Sequence, residues 1–179
     1  MSATIPPAVR LHRFADDGRI PNNPRLPLLV YPGVLPRQGD VAAACERLFQ
    51  ANGWGGGWRD GIFPYHHFHS TAHEVLGIVR GSARVLFGGQ SGVAVDVEAG
   101  DVVVIPAGVG HKRLAASPDL LVVGAYPHGQ PVDLCKGEAG AADRVRAAIA
   151  RVPVPPADPV HGPDGPLVRH WRGDPPGTP

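Results

Sequence analysis

The chain has 179 residues, which is enough for one domain with a hydrophobic core and too few for two ordinary domains. Its net charge is +1 and it has no run of Lys or Arg, which argues against a nucleic-acid partner, because phosphate binding needs a basic stripe. The sequence has no stretch of 18 apolar residues and no N-terminal signal pattern, so we expect no membrane contact and a cytoplasmic location.

Glycine and proline punctuate the whole chain. With 24 Gly and 21 Pro, a quarter of the residues favour turns, and the apolar runs between them are short. Such a pattern is typical of all-β proteins. The two cysteines, Cys45 and Cys135, form no CxxC pair, and we interpret them as unpaired thiols in a reducing compartment.

The N-terminal part, residues 1–58, is predicted to be an extended arm followed by a helix. Residues 26–31 form a short apolar run that suits an edge strand. Asp40 is a suitable N-cap for a helix over residues 41–51. The run at 54–58, three glycines between two tryptophans, is interpreted as a linker whose indoles cover one end of the core.

The central part of the chain is predicted to consist of strands. Runs rich in β-branched residues alternate with glycines about every ten residues, as in sandwiches and barrels. These runs are residues 75–79, 83–87, 93–97, 102–105 and 120–125. A second helix is predicted over residues 138–151, followed by a Pro-rich tail that runs extended over the surface.

Histidines cluster in this β region. His67 and His69 are two residues apart, so on a strand their imidazoles point to the same face. Neutral imidazole is a good ligand for transition metals. An isolated His-x-His is weak evidence for a metal site, but a carboxylate, Glu74, follows five residues later.

Two longer blocks include these residues. The first runs from Gly61 through five residues to His67-x-His69, then four residues to Glu74 and six to Gly81. The second runs from Gly100 through five residues to Pro106-x-Gly108 and two more to His111. At every one of these spacings the blocks resemble the two characteristic motifs of the cupin superfamily. One departure is Ala115, where that motif usually has an Asn that is not a ligand.

The resemblance extends to the flanks, where residues 20–24 and 124–127 are similar to the YjlB-like subfamily of bacterial cupins. It implies an all-β fold, the cupin double-stranded β-helix (a jelly-roll barrel) with short flanking helices. We expect a single domain over residues 1–179, with the barrel at about 59–127, the arm and helix at 1–58, and a helix and tail at 128–179. The resemblance also implies one divalent transition metal ion (Fe, Mn, Ni or Zn) on His67, His69, Glu74 and His111.

Two arguments place different residues at the position of the fourth ligand. Strand alternation alone would place His73, rather than Glu74, on the same face as His67 and His69. The motif favours Glu74, which requires the alternation to break, and residues 70–72 suit a break because Ser and Thr favour turns. After such a break, Glu74 and residues 76 and 78 would face inward.

For function, the ligand set and the resemblance leave two classes open. One is a small-molecule enzyme, such as an Fe(II)-dependent dioxygenase, an isomerase or a decarboxylase, since three His and one Glu leave metal positions open. The other is a non-catalytic binding or sensor cupin with a metal anchor. In both classes the partner is a small-molecule ligand. Arg84 and Arg113 are expected to be solvated, and the edge strand at 26–31 predicts a homodimer.

Overall fold

The structure, a computed structural model, describes residues 8–173 as strands with three short helices. The elements in chain order are β1 (Arg10–His12), β2 (Leu28–Tyr31), α1 (Val41–Ala51), β3 (Trp54–Asp60), β4 (Glu74–Arg80), β5 (Ser82–Phe87), β6 (Val93–Glu98), β7 (Val102–Ile105), β8 (His111–Ala116), β9 (Leu121–Pro127), α2 (Ala142–Arg151) and α3 (Pro166–Arg172). The predicted strands of the central region and the helix at 41–51 are therefore confirmed, with shifts of one or two residues at some ends.

The strands form two antiparallel sheets. The larger sheet has the order β1-β2-β7-β4-β9-β3 and the smaller has the order β6-β5-β8. Their facing side chains share one core, in which Leu76 and Val103 of the larger sheet meet Val85 and Phe87 of the smaller. Within residues 8–173 the ladders pair strands only inside each sheet, so the fold is an antiparallel sandwich and a closed barrel stays a prediction.

The outer face of the larger sheet is covered by α1 and α3. Val75 and Val79 of β4 face this layer and belong to the same cluster as Cys45 and Phe49 of α1. Gly77 lies between them, and a Cβ at this position would be 2.4 Å from the Cys45 Sγ. The helix therefore packs closely because β4 has no side chain there.

The N-terminal segment is part of the sheet rather than an arm. Leu28–Tyr31 pairs with β1 on one side and with β7 on the other, and all four residues are buried. The prediction of an edge strand at 26–31 is wrong, because Arg10–His12 covers it, and the homodimer loses that support. The dimer itself stays a prediction.

The glycine-rich run at 54–58 is also a strand. Trp54–Asp60 pairs with β9, opposite Gly124 at Trp58. A Cβ on Gly124 would lie 2.1 Å from the Trp58 ring, so glycine in β9 makes room for the indole. The predicted linker is wrong, because this cross-strand packing outweighs the low strand preference of glycine.

The C-terminal segment folds back onto the sheet. The helix predicted at 138–151 begins at Ala142, and the predicted extended tail contains α3, whose Leu167 and Trp171 are buried against the larger sheet. Residues 1–7 and 174–179, the ends of the predicted arm and tail, lie outside the described residues. Cys45 and Cys135 are unpaired, as predicted. No helix in the described range is long and apolar enough to cross a membrane.

Candidate metal centre

Three segments bring the predicted metal ligands together at one end of the sandwich. Glu74 is the first residue of β4 and His111 the first residue of β8. His67 and His69 lie just before β4. They are held there because His67 and His111 exchange two backbone hydrogen bonds, of 3.2 and 2.9 Å. The two motif blocks, far apart in sequence, therefore meet through main-chain contacts.

The three imidazole rings share one hydrogen-bonding pattern. In each ring Nδ1 lies against a backbone carbonyl and therefore carries a proton, so in the neutral ring the lone pair is on Nε2. The acceptors are Tyr65 for His67 at 3.0 Å, Val109 for His111 at 3.2 Å, and Asp133 for His69. The backbone thus selects the tautomer that a metal ion requires.

The free ring nitrogens converge. His67, His69 and His111 each offer one ligand atom, and these atoms all lie within 4.8 Å of one another. Glu74 is not part of that three-histidine group, but its Oε2 lies 3.2 Å from the Nε2 of both His69 and His111. All four side chains are buried. The structure therefore brings together the four residues that the sequence predicted as ligands.

The charges at this centre follow from burial and from one carboxylate. Burial, helped by the neighbouring His111, lowers the pKa of His67 to about 3, so His67 is neutral at pH 7. Burial alone would raise the pKa of Glu74, but hydrogen bonds from His111 and His69 hold it below its usual value. Burial lowers the pKa of His69, but the hydrogen bond and charge of Glu74 outweigh that effect and raise it. Glu74 is therefore an anion, and its charge favours a second proton on His69. A bound metal ion would take the place of that proton.

His73 lies on the other side of the larger sheet from Glu74. Its Nδ1 accepts a hydrogen bond of 2.9 Å from the Ala107 N–H, and its ring lies 4.6 Å from that of Trp171 in α3. Strand alternation does break before β4, since Leu76 belongs to the core between the sheets, as expected if Glu74 faces inward. The His73 ring therefore packs beside α3, on the opposite face of the larger sheet from the four proposed ligands.

A cavity of about 460 Å³ opens onto the four residues. Its walls are largely aromatic and apolar: Trp58, Ile62, Phe63, Leu76 and Tyr126. The Trp58 Nε1 donates a hydrogen bond of 2.8 Å to the Tyr126 hydroxyl, which fixes both rings. Volume and lining are typical of small-molecule sites.

The cavity also contains a residue that the sequence analysis assigned to the surface. Arg113 lines the cavity, whereas Arg84 is exposed and paired with Asp96 at 3.0 Å, as expected. The spacing from His111 could have indicated that Arg113 faces the cavity, because residues two positions apart in a strand share a face. It was missed because a charged residue is most often solvated.

A second missed feature is the segment around Asp133. Besides accepting from His69 through its carbonyl, Asp133 accepts the Ser70 N–H at 2.7 Å and the Ser70 hydroxyl through its carboxylate. Phe68 exchanges two backbone hydrogen bonds, both of 2.9 Å, with Cys135. These contacts fix the turn after His69, and their large sequence separation explains why no local pattern indicated them.

Comparison with known proteins identifies the same family as the two motifs. Residues 59–133 match the model of the Cupin family. The chain is 44% identical over 158 residues to "Uncharacterized protein YjlB" of Bacillus subtilis (strain 168), covering 88% of this chain and 93% of that protein.

The similar solved structures are more distant. They include acireductone dioxygenase from Bacillus anthracis with a cadmium ion in its active centre, at 17% identity and a TM-score of 0.38 over 50% of this chain and 60% of that one. Another is YcfD, a ribosomal oxygenase from Escherichia coli, at 16% identity and a TM-score of 0.41 over 58% of this chain and 32% of that one. The chain spans less than two thirds of either structure, and neither likeness assigns a reaction. The family match and the close similarity to YjlB show that this chain belongs to the cupin family and is YjlB-like.

Proposed function

We propose that this protein binds one divalent transition metal ion on His67, His69, His111 and Glu74 and acts on a small organic molecule in the adjoining cavity. An Fe(II)-dependent dioxygenase is the specific form of this proposal. The observation that carries it is the common hydrogen-bonding pattern of the three imidazoles, whose Nδ1 atoms all face backbone carbonyls. Rings that served only as core packing would not need three matched tautomers.

The donor set fits such an ion. Three neutral nitrogens and one carboxylate oxygen suit Fe, Mn, Ni or Zn, and the charge of Glu74 compensates part of the charge of the ion. A bound ion would supply Lewis-acid chemistry and, as Fe(II), electrons for a reaction with O2. Four protein ligands leave room for a substrate from the cavity side.

The cavity residues have separate tasks in this proposal. The Trp58–Tyr126 pair forms a rigid wall against which a planar substrate can pack. Burial and the charge of Glu74 raise the pKa of Tyr126, so its phenol stays protonated at neutral pH. Because its oxygen accepts from Trp58, the Tyr126 hydroxyl can donate its own proton, and Glu74 is near enough to accept it.

The test combines metal content with turnover. Protein reconstituted with Fe(II) under anaerobic conditions should hold about one ion per chain and consume O2 with a member of a panel of small acids, phenols and sugars. His67→Ala should lose both properties, whereas His66→Ala is the matched control, because His66 does not line the cavity. A reconstituted wild type without metal, or a His67→Ala variant that loads normally, would contradict the proposal.

One observation favours the non-catalytic alternative, a binding or sensor cupin. Apart from Glu74, the described residues that line the cavity include one carboxylate that could act as a general base, Asp60. It is exposed and accepts a hydrogen bond of 2.7 Å from the Gly61 N–H. Chemistry that needs a buried carboxylate as general base, besides the proposed ligands, would lack one among the described residues of this cavity. Ligand binding to the metal-loaded protein without O2 consumption or conversion would support this alternative.

We also propose that the protein acts as a homodimer in the cytoplasm. Two-fold dimers are the commonest oligomers, and the short strand β1 leaves one edge of the larger sheet unpaired. Light scattering should give about 38 kDa, twice the 18.8 kDa of one chain. A mass near that of one chain at micromolar concentration would contradict the dimer, and recovery in a membrane fraction would contradict the location.

A further inference from the structure

Arg113 lies inside the cavity, two residues beyond His111 on the same strand. It pairs in register with Val85, which is fully buried in the core between the sheets, so the two side chains share the interior face. The register shifts next to Val85, so the next residue of β8, Leu114, has no partner in this ladder and is exposed. Arg113 therefore faces the interior of the sandwich where β8 borders the cavity.

The guanidinium of Arg113 has no acidic partner among residues 8–173. No carboxylate in this range lies within 4.0 Å of it, although Arg59, Arg84 and Arg146 all have one. Arg113 is half-buried, and a guanidinium that has lost part of its hydration beside apolar walls is stabilised by an anion that reaches it. A ligand in the cavity can supply that anion.

The other charges in the cavity increase this requirement. Arg59 is exposed and held at two points by Glu46, at 2.7 and 2.8 Å, and Asp60 is exposed. The lining residues carry two positive and two negative charges, and one of the negative charges is Glu74. Because Glu46 compensates the charge of Arg59, a divalent ion on the centre leaves the cavity net positive by one charge, which attracts an anionic ligand.

We propose that Arg113 binds the carboxylate of the substrate, and that the substrate class is small aromatic or otherwise planar carboxylic acids. This inference rests on the proposed function, since it names the substrate of the same site. Arginine presents paired N–H donors that match the two oxygens of a carboxylate. The planar body packs against Trp58 and Phe63, and a cavity of about 460 Å³ holds a single-ring molecule with room to spare.

Benzoate and its neutral analogue benzamide test this assignment. Each is titrated by calorimetry into the Zn(II)-loaded protein, in which redox turnover does not occur. Wild type should bind benzoate more tightly than benzamide. Arg113→Gln should weaken benzoate binding by about tenfold or more, as for a lost charge-assisted hydrogen bond, and leave benzamide within about twofold. Arg84→Gln on the neighbouring strand is the control and should change neither affinity.

A conservative variant and the zinc content separate the role of Arg113 from loss of folding or of metal. Arg113→Lys keeps the charge without the paired donors, so its loss should be smaller and confined to benzoate, and it replaces Arg113→Gln if that variant does not fold. Equal benzoate affinity in wild type and Arg113→Gln, or wild type that does not distinguish the two probes, would overturn the assignment. Zinc content is measured in parallel. A wild type without zinc contradicts the proposed metal centre, and the benzoate series on the metal-free protein then decides the role of Arg113.

Discussion

Glu74→Gln separates the charge of the fourth ligand from its shape. The Glu74 side chain is buried, and its Oε2 lies 3.2 Å from the Nε2 of both His69 and His111. Glutamine fills the same volume but brings no negative charge to a divalent ion. His73→Gln is the matched comparison, because it changes the adjacent buried residue, whose ring faces Trp171 instead.

The expected loss follows from the position of Glu74. Replacing a residue that only supports a metal ligand typically lowers metal affinity about 10- to 100-fold. A side chain that itself contacts the ion should lose at least the upper value, so we expect about 100-fold or more for Glu74→Gln. At a free metal concentration of about 100 times the wild-type Kd, metal adds about 2.7 kcal/mol to the stability of wild type. A 100-fold weaker variant gains only about 0.4 kcal/mol.

Thermal unfolding with and without metal measures this difference. For a domain of this size the wild type should gain about 5 to 11 °C in Tm on metal addition and Glu74→Gln about 1 to 2 °C. His73→Gln alters a buried hydrogen bond and shifts the metal-free Tm, but its metal-induced gain should equal that of wild type. Competition with a chromophoric chelator gives the affinities directly. A normal gain in Glu74→Gln together with a lost gain in His73→Gln would refute the assignment of Glu74.

Three further predictions concern the surroundings of the centre. Gly77→Ala should cost about 1–3 kcal/mol in urea unfolding because of overpacking against Cys45, and Cys45→Ala should recover part of it; costs that simply add would contradict this contact. Trp171→Ala should cost about 3–5 kcal/mol in the same assay, because the indole is buried and donates to a backbone carbonyl; a cost under about 1 kcal/mol would show that α3 is not part of the core. Burial would raise the pKa of Asp133, but hydrogen bonds from Ser70 hold it below its usual value. The advantage of wild type over Asp133→Asn should therefore be full above about pH 5 and shrink as acidification approaches the lowered pKa; a difference that grows between pH 7 and pH 3 would contradict this.

The positions of the four proposed ligands could be predicted because His67 and His69 follow from strand spacing and the full set, including Glu74, from the resemblance to the cupin motifs. His67 and His69 share a face by the period of an extended chain, and His111 begins a strand after a turn that Pro106 and Gly108 mark. Both features are local in sequence. Meeting across the sandwich then follows from the pairing of the two segments, and the four side chains lie together as expected.

Strand β3 and helix α3 could not be predicted from local patterns, because long-range contacts form them. The glycines of β3 disfavour a strand, but Trp58 packs over Gly124 of β9. Helix α3 has Pro166 in its first turn, but among the surrounding prolines this residue does not distinguish a helix from an extended tail. Its N-terminal end is held by Asp158, a fully buried carboxylate that also accepts from the Tyr31 hydroxyl at 2.5 Å.

The segment that carries His67 and His69 explains why chain outside the sandwich matters for the site. This segment belongs to neither sheet, so its backbone groups need partners elsewhere. His67 finds them in His111 and Phe68 finds them in Cys135, and the Phe68 side chain packs with Ile149 of α2. The two histidines therefore point to the centre because Phe68, the residue between them, is held by its contacts with Cys135 and Ile149 in the C-terminal part of the chain. Changes in that part should alter metal binding through the backbone, without touching a proposed ligand.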